Sequence, residues 1–322
     1  MAVDVSAFSA LARSEFQNSL MGAYARPYPA DIDALVDEWP SKTAVETYAY
    51  MTNIPRLRVF KRDSPAVQLV ADKWTVPNVT HRLGPVVVQK ETLDDDQIGG
   101  YLRAIAAMPE GARKDIKYRI LSVFANGSSN TCFDGTSMFA SSHTIGSGNN
   151  LMTADSASND GITHKMIAVI TEGPAKPMLF QNREPIKDLQ DNGTPQAMEA
   201  REFRYWADTR FGVSCAAWFT SVLMTITDTP TLTELTTDIL AMFNRLRTFT
   251  LPKGADVDDS LYFWEGWTPQ ESNVTILCNL QLATLLETIR DSQLIASGTG
   301  GGVVTNYLKG KFKVVPTSAL GA

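Results

Sequence analysis

Residues 94–126 read DDDQIGGYLRAIAAMPEGARKDIKYRILSVFAN and contain a long helical pattern. Apolar side chains recur three or four positions apart from Ile98 to Phe124, which is the spacing of one helix face. The carboxylates of Asp94–Asp96 suit the positive end of a helix dipole, and Asn126 followed by Gly127 favours a stop. Pro109 predicts either a kink or a division into two segments. The stretch therefore predicts a long helix that forms the backbone of a domain.

The segment before this helix, residues 56–92, is rich in β-forming residues and predicts one or two hairpins. Turn-forming residues interrupt it three times, at Asp63–Pro65, Pro77–Asn78 and Gly84–Pro85. Its basic residues include Arg56, Arg58, Lys61 and Arg62. Because a single hairpin is marginally stable in water, we expect this one to lie on another surface, in the same chain or in a neighbouring copy. An edge hairpin folded onto its own domain is the simpler alternative.

The first fifty residues predict two modest helices joined by a stiff kink. Apolar residues from Val5 to Phe16 have helical spacing, and a second short pattern covers Asp31–Trp39. Between them, Arg26-Pro27-Tyr28-Pro29 ends the first helix, because proline lacks a backbone donor and restricts the residue before it. These helices predict an extended arm more than a separate core.

The half that follows the long helix alternates between loop, strand and helix patterns. Residues 127–160 are rich in Ser, Asn, Gly and Thr and predict a long loop. Strands are predicted at Met178–Phe180, Phe203–Trp206 and Phe211–Ile226, the last one buried on both faces. Thr231–Glu234 has the pattern of a capping box and predicts a helix start. The last ninety residues predict a small α/β domain, with strands at Val274–Leu277 and Lys311–Val315, a helix stripe from Leu282 to Ile289 and a flexible tip at Ser297–Gly302.

Composition excludes several classes of protein. The chain has 322 residues, 44% of them hydrophobic and 20% charged, which is globular composition. Its 29 Lys and Arg against 35 Asp and Glu give a net charge of -6, whereas a sequence-reading nucleic-acid binder is usually basic. The three cysteines, Cys132, Cys215 and Cys278, are too few and too far apart for a disulfide framework. The first residues lack a signal-peptide pattern, and no apolar stretch is long enough for a membrane span.

No residue pattern identifies an active site. Ser141-Ser142-His143 with Asp134 is the nearest to a hydrolytic set, but no Gly-x-Ser-x-Gly elbow surrounds it. Cys132 with His143 or His164 lacks the close ligand pairs of zinc sites. Asp94–Asp96 suits a helix start better than a cation site. We therefore expect a structural protein that is not an enzyme and binds no cofactor and no metal.

Taken together, the segments resemble the Mu-like major head proteins of tailed phages. The similarity is carried by three blocks of residues: Trp39-Pro40-Ser41 through His143, with Trp74–Asn78, Leu93–Asp95, Asp134-Gly135 and Phe139–His143; Lys176–Gln181 with Arg183, Tyr205, Asp208, Arg210, Gly212 and Trp218; and Val274–Gln293 with Lys311–Val315. The joint occurrence of these blocks over about three-quarters of the chain is specific. The Lys176–Gln181 block precedes the distal helix, whereas in the family it is expected to follow, so the C-terminal blocks look reordered.

The resemblance implies an α+β, Hong Kong 97-type capsid fold. Residues 1–55 would form an N-terminal arm, 56–92 an extended loop, 93–230 a peripheral domain with a spine helix over 94–126, and 231–322 an axial domain. It also implies a major capsid protein that assembles into pentamers and hexamers of an icosahedral shell around double-stranded DNA. The implied partners are further copies of the chain, a portal protein, a scaffolding protein and a decoration protein, with DNA bound without sequence recognition, no membrane, and assembly in the bacterial cytoplasm.

Contacts between subunits are expected at the charged residues of the extended loop and helix start. The expected contact residues are Arg56, Arg58, Lys61, Arg62, Trp74, Asp94, Asp95 and Asp96, with the basic residues meeting the acidic ones of a neighbour. An encapsulin-like cellular shell is the nearest alternative, because it has the same fold. A hydrolase that uses Ser142, His143 and Asp134, and a tail or decoration protein, are more distant alternatives.

Overall fold

The computed structural model describes residues 27–51, 71–89, 98–156, 158, 160–173, 175–190, 202–250, 262–296 and 303–321. Three helices are present in these ranges: α1 (Ile98–Ala125), α2 (Leu232–Arg247) and α3 (Leu280–Asp291). The strands are β1 (Val36–Pro40), β2 (Val45–Met51), β3 (Ala71–Pro77), β4 (Val79–Gln89), β5 (Leu151–Asp155), β6 (Thr163–Ile170), β7 (Met178–Gln190), β8 (Glu202–Cys215), β9 (Ser221–Thr227), β10 (Val274–Cys278), β11 (Leu294–Ala296), β12 (Val303–Thr305) and β13 (Lys313–Pro316).

A four-stranded sheet with the order β1-β7-β8-β4 lies against α1. β1 runs parallel to β7, and the other pairs are antiparallel. On the face toward α1, Ala207 and Phe211 of β8 are buried, as are Ile116 and Ile120 of the helix. The alternation of β8 therefore separates an apolar face, covered by α1, from an opposite face that carries charged residues.

A five-stranded sheet has the order β13-β10-β6-β9-β5. β6 and β10 are buried along almost their whole length, which is typical of strands covered on both faces. α2 lies against β9 and β6, and α3 lies against β13. The sheet combines strands from both sides of the predicted domain boundary at residue 230, because backbone ladders join β6 to both β9 and β10.

Polar side chains fix the starts of α2 and α3. Thr231 and Glu234 form the predicted capping box, in which each side chain accepts from the other residue's backbone N–H. Asn279 caps α3 by accepting from the backbone N–H of Leu282, and its amide nitrogen lies 3.0 Å from Nδ1 of the buried His164. The other ring nitrogen of His164 is 3.0 Å from the Thr229 hydroxyl. These contacts connect the starts of both helices to strand β6.

α1 agrees with the predicted helix. It ends at Ala125, as Asn126 and Gly127 predicted, and it is continuous through Pro109, so the division into two segments does not occur. Residues 94–97 lie outside the described residues. Among the helices that the structure describes, none is long and apolar enough to cross a membrane.

Four local predictions are corrected by the strand pairing. The two described strands of the predicted hairpin segment 56–92 do not pair with each other: β3 pairs with β2, which lies in the predicted arm, and β4 pairs with β8. The helix predicted at Asp31–Trp39 is a short 3-10 helix, Ala30–Leu35, followed by strand β1, which pairs with β7. The single strand predicted at Phe211–Ile226 is the end of β8 and the whole of β9, which lie in different sheets. The predicted loop over 127–160 contains β5, which pairs with β9. In each case a ladder with a distant strand overrides local propensity.

Candidate assembly surfaces

The β2–β3 hairpin is anchored to the four-stranded sheet at its base. Gln181 of β7 is fully buried and accepts a hydrogen bond from the Tyr48 hydroxyl at 3.0 Å, while its amide donates to the Val76 carbonyl at 3.3 Å. Gly212 of β8 lies under the hairpin so closely that a Cβ there would be 2.6 Å from the Pro77 carbonyl oxygen. The absence of a side chain at this position therefore allows the hairpin to meet the sheet.

The turn between β1 and β2 is held by the carboxylate of Glu46. It accepts from the backbone N–H of Lys42 at 2.7 Å, the backbone N–H of Thr43 at 2.9 Å and the Ser41 hydroxyl at 2.9 Å. These hydrogen bonds, led by the two backbone donors, lower the pKa of Glu46 to about 2. Asn78 completes the turn by donating to Ser41 Oγ and to the Thr43 carbonyl, both at 2.7 Å.

Trp74, the one predicted contact residue that the structure describes, lies in an aromatic cleft. Its ring centroid is 5.7 Å from that of Tyr48, which is 4.8 Å from that of Trp39. The cleft has a volume of about 300 Å³ and is also lined by Phe133 and Leu179. Aromatic residues that remain partly exposed are enriched at protein interfaces, so the hairpin base has the composition of a contact surface.

A buried cluster fixes the loop that follows α1. Nδ1 of His143 lies 2.9 Å from Asp134, whose other carboxylate oxygen accepts from the Cys132 thiol at 2.8 Å. Nε2 of His143 lies 3.2 Å from Oδ1 of Asn150, and its ring stacks on Trp218 at 3.9 Å. Because Trp218 lies between β8 and β9, the cluster connects this loop to the point where the chain passes from one sheet to the other.

The electrostatics of this cluster oppose nucleophilic chemistry. Burial raises the pKa of the Cys132 thiol, and its hydrogen bond to Asp134 raises it further, so the thiol stays protonated and unreactive. Burial also raises the pKa of Asp134, but hydrogen bonds from His143, Cys132 and the Thr136 backbone outweigh that effect and lower it. Both ring nitrogens of His143 face Asp134 and Asn150, so the geometry does not form the hydrolase arrangement with Ser142.

Cys132, Asp134 and His143 are also the only group of potential metal ligands found within the described ranges. The ligand atoms of Cys132, Asp134 and His143 lie within 4.8 Å of one another. Their mutual hydrogen bonds and the Thr136 backbone donor account for this proximity. The sequence offered Asp134 and His143 as a weak hydrolytic candidate and Cys132 with His143 as a weak metal-site candidate, but it did not indicate that the three side chains meet in one buried cluster.

The family model described as "Mu-like prophage major head subunit gpT" matches residues 5–262, more than half of the chain. The chain belongs to the Mu-like major head subunit family. It is 23% identical over 187 residues to the Mu-like prophage FluMu major head subunit of Haemophilus influenzae, covering 55% of this chain and 60% of that protein. It is also 23% identical over 215 residues to the major capsid protein of Escherichia phage Mu, covering 64% of this chain and 68% of that protein.

Solved capsid structures confirm the predicted fold of this head subunit. The bacteriophage JBD30 capsid matches with a TM-score of 0.72 and 16% identity over 91% of each chain. The JBD30 capsid decorated with minor capsid protein trimers matches with a TM-score of 0.68 and 17% identity, again over 91% of each chain. These structures confirm the predicted α+β, Hong Kong 97-type capsid fold. The family match confirms the assignment as a phage major head protein of the capsid shell.

The other predicted contact residues of the head subunit stay predictions. Arg56, Arg58, Lys61 and Arg62 lie outside the described residues, as do Asp94–Asp96. The predicted order of the C-terminal blocks is also untested, because the family match ends at residue 262, before α3.

Proposed function

We propose that this head subunit assembles into pentamers and hexamers that tile an icosahedral shell around packaged double-stranded DNA. The observation that carries the proposal is the β2–β3 hairpin, whose strands pair only with each other among the described strands. A two-stranded hairpin needs a further surface for stability, and the contacts that its described residues make with the rest of their own chain lie at its base. Contact with a neighbouring copy supplies that surface.

The arm and extended loop, residues 1–55 and 56–92, would lie across neighbouring subunits, except where β1 and β4 pair with β7 and β8 of their own chain. The basic residues Arg56, Arg58, Lys61 and Arg62 would then meet acidic residues of a neighbour, among them Asp94–Asp96. The family resemblance and the excess of acidic residues in the chain support this pairing. Normal particles from a variant with charge reversal at Arg58 and Arg62 would count against it.

For the remaining chain we propose a peripheral domain within 93–230 and an axial domain within 231–322. The four-stranded sheet with α1 fits the peripheral domain, which would then also include β1 and β4 from the first ninety-two residues. The five-stranded sheet with α2 and α3 fits the axial domain. Because β5, β6 and β9 belong to that second sheet, the axial domain would also include these three strands.

The proposed partners are a scaffolding protein, a portal protein and a decoration protein. The shell would enclose DNA without recognising its sequence. The JBD30 capsid that carries minor capsid protein trimers supports the decoration protein. The net charge of -6 suits a lining that tolerates dense DNA without binding it tightly. Assembly would take place in the bacterial cytoplasm, and the role is structural, without enzymatic activity.

Negative-stain electron microscopy with size-exclusion chromatography tests the proposal. We expect closed particles, or rings of five and six subunits, from the chain expressed with the head proteins encoded beside it. A chain that remained a monomer or dimer under those conditions would contradict the proposed assembly.

A further inference from the structure

One face of the four-stranded sheet carries an excess of positive charge. His81, Thr209 and Phe211 line clefts against α1, so the alternate residues of β4 and β8 project from the opposite face. The strand register aligns Arg82 with Asp208 and Lys187 with Asp208, and it aligns Glu184 with Arg210. These five charged residues therefore share the face that turns away from the helix.

The acidic residues of this face already have basic partners. Arg82 forms a two-pronged ion pair with Asp208, at 2.7 and 2.9 Å, and Lys187 pairs with Glu184 at 3.0 Å. The carboxylates of Asp208 and Glu184 are thus engaged within the sheet.

Two arginines beside these pairs have buried N–H groups without an acceptor. Nε of Arg210 and Nη1 of Arg183 are buried and form no hydrogen bond, and neither arginine has an ion pair in the part of the chain that the structure describes. Arg183 lies at the irregularity of β7 between Asn182 and Glu184, next to Arg210 on β8. The pKa of Glu184 is lowered mainly by its hydrogen bond to Lys187 and, to a smaller extent, by the positive charges of Arg183 and Arg210. Both arginines therefore lie near the Glu184 carboxylate.

Buried polar N–H groups are almost always paired in folded proteins, so these two arginines indicate a missing acceptor. A guanidinium group matches a carboxylate best, because two parallel N–H groups can donate to its two oxygens. Around the site, the four cations Arg82, Arg183, Lys187 and Arg210 face the two anions Glu184 and Asp208. The site can therefore take one more carboxylate without creating an excess of negative charge.

We propose that Arg183 and Arg210 form a carboxylate-binding site that an acidic side chain of a second copy of this chain fills on assembly. The inference rests on the proposed shell function and names one contact within it. The site is next to the hairpin base, since Gly212, two residues after Arg210, lies directly under Pro77. It therefore continues the surface proposed for contact between subunits.

Charge complementarity favours a second copy as the source of the carboxylate. The chain carries an excess of acidic residues, and the exposed carboxylates of Asp115, Asp155 and Glu265 form no ion pair within the described ranges. A duplex DNA backbone fits less well, because its row of phosphates would meet Glu184 and Asp208 beside the two arginines.

The test compares the double variant Arg183→Gln/Arg210→Gln with Arg82→Gln, which removes a guanidinium on the same face that already has a partner in its own chain. We expect the double variant to need at least about ten times more protein to form particles, because each removed arginine leaves a partner carboxylate unpaired. Arg82→Gln should assemble like the wild type. Circular dichroism and thermal unfolding of the unassembled chains should show that all three fold alike.

A second measurement identifies the partner group. In the variant Arg210→Lys, carbodiimide coupling should join the introduced amine to an Asp or Glu of another copy in assembled particles, and mass spectrometry would locate the link. Coupling only to Glu184 of the same chain, together with wild-type-like assembly of the double variant, would overturn the inference. Normal shells that lose only packaged DNA would overturn it too and would indicate phosphate as the ligand.

The two proposals fail in different ways. If wild-type particles form and the double variant assembles equally well, the carboxylate site is wrong and the shell function stands. If the wild type forms no particles with its head proteins, both are wrong.

Discussion

The five-stranded sheet and the β2–β3 hairpin obtain their stability from different sources. In the sheet, the inner strands β6, β9 and β10 have a neighbour on both sides, and helices of the same chain lie against it. The hairpin strands pair only with each other in the described chain, and Val45 remains half exposed. One region is therefore complete within a single copy, whereas the described part of the other is anchored at its base, and the proposed assembly would supply its second surface.

The largest expected effect is in the five-stranded region. Ile239→Ala removes a fully buried side chain of α2, and we expect it to lower the free energy of unfolding by about 2–5 kcal/mol because it leaves a cavity. The neighbouring Leu240 is 40% exposed, so Leu240→Ala should cost far less. Denaturant unfolding of both variants measures the difference, and equal losses would contradict a self-sufficient core.

A smaller loss is expected where the chain passes between the two sheets. Asp134→Asn weakens the hydrogen bonds to Cys132 and His143 inside the buried cluster, which should lower the free energy of unfolding by about 1–3 kcal/mol. Asp155→Asn, at an exposed carboxylate, should stay within about 0.5 kcal/mol of the wild type. Thermal unfolding measures the stability of both variants. An Asp134→Asn variant as stable as the wild type would show that the buried cluster contributes little to the free energy of unfolding.

At the hairpin base, we expect a loss of stability that is confined mainly to strands β2 and β3. Gly212→Ala places a methyl group against the Pro77 carbonyl, so the hairpin must move and the cost should be about 1–3 kcal/mol. Gly111→Ala in α1 meets no atom within 4 Å and should stabilise that helix by about 0.5–1 kcal/mol. Amide hydrogen exchange should show faster exchange in β2 and β3 for Gly212→Ala alone; a uniform change across the chain would contradict a separately anchored hairpin.

The smallest effect is the pH response of the turn at Glu46. Because folding lowers the pKa of Glu46 from 4.5 to about 2, its contribution to stability is fully present above pH 4.5 and is lost as the pH falls toward 2. Carboxyl chemical shifts should follow this titration, and the Lys42 and Thr43 amides should lose protection with it. In Glu46→Gln these amides should be less protected at neutral pH and should no longer respond over this range.

Local signals in the sequence predicted α1, α2 and α3, although the helix predicted at Asp31–Trp39 was wrong. The limits of α1 and the capping box of α2 depend on neighbouring residues, since helix hydrogen bonds and caps span only three or four positions. Strand predictions located β7, β10 and β13 by their apolar runs but missed β1, β2 and β5. β1 and β5 pair with β7 and β9, more than fifty positions away along the chain, and β2 pairs with β3.

The candidate surfaces likewise divide into residues that the sequence predicted and residues that only the structure brought to notice. The sequence predicted Trp74 as a contact residue, and the structure places it beside Trp39 and Tyr48 in the aromatic cleft. Arg183 and Arg210 were noted only as part of the family resemblance. Their unpaired N–H groups became visible only when β7 and β8 were aligned and the nearby carboxylates were found to have other partners.

By itself, the sequence determined α1, α2 and α3, the class of protein and the capsid family, because periodicity, caps and motif blocks depend on residues close together in the chain. Tertiary structure alone decided which strands share a sheet and how Phe211–Ile226 divides between two sheets. It also decided which charged side chains have a hydrogen-bond donor without an acceptor. Sheet ladders and ion pairs join residues that are far apart in the chain, so their partners are fixed only when the chain has folded.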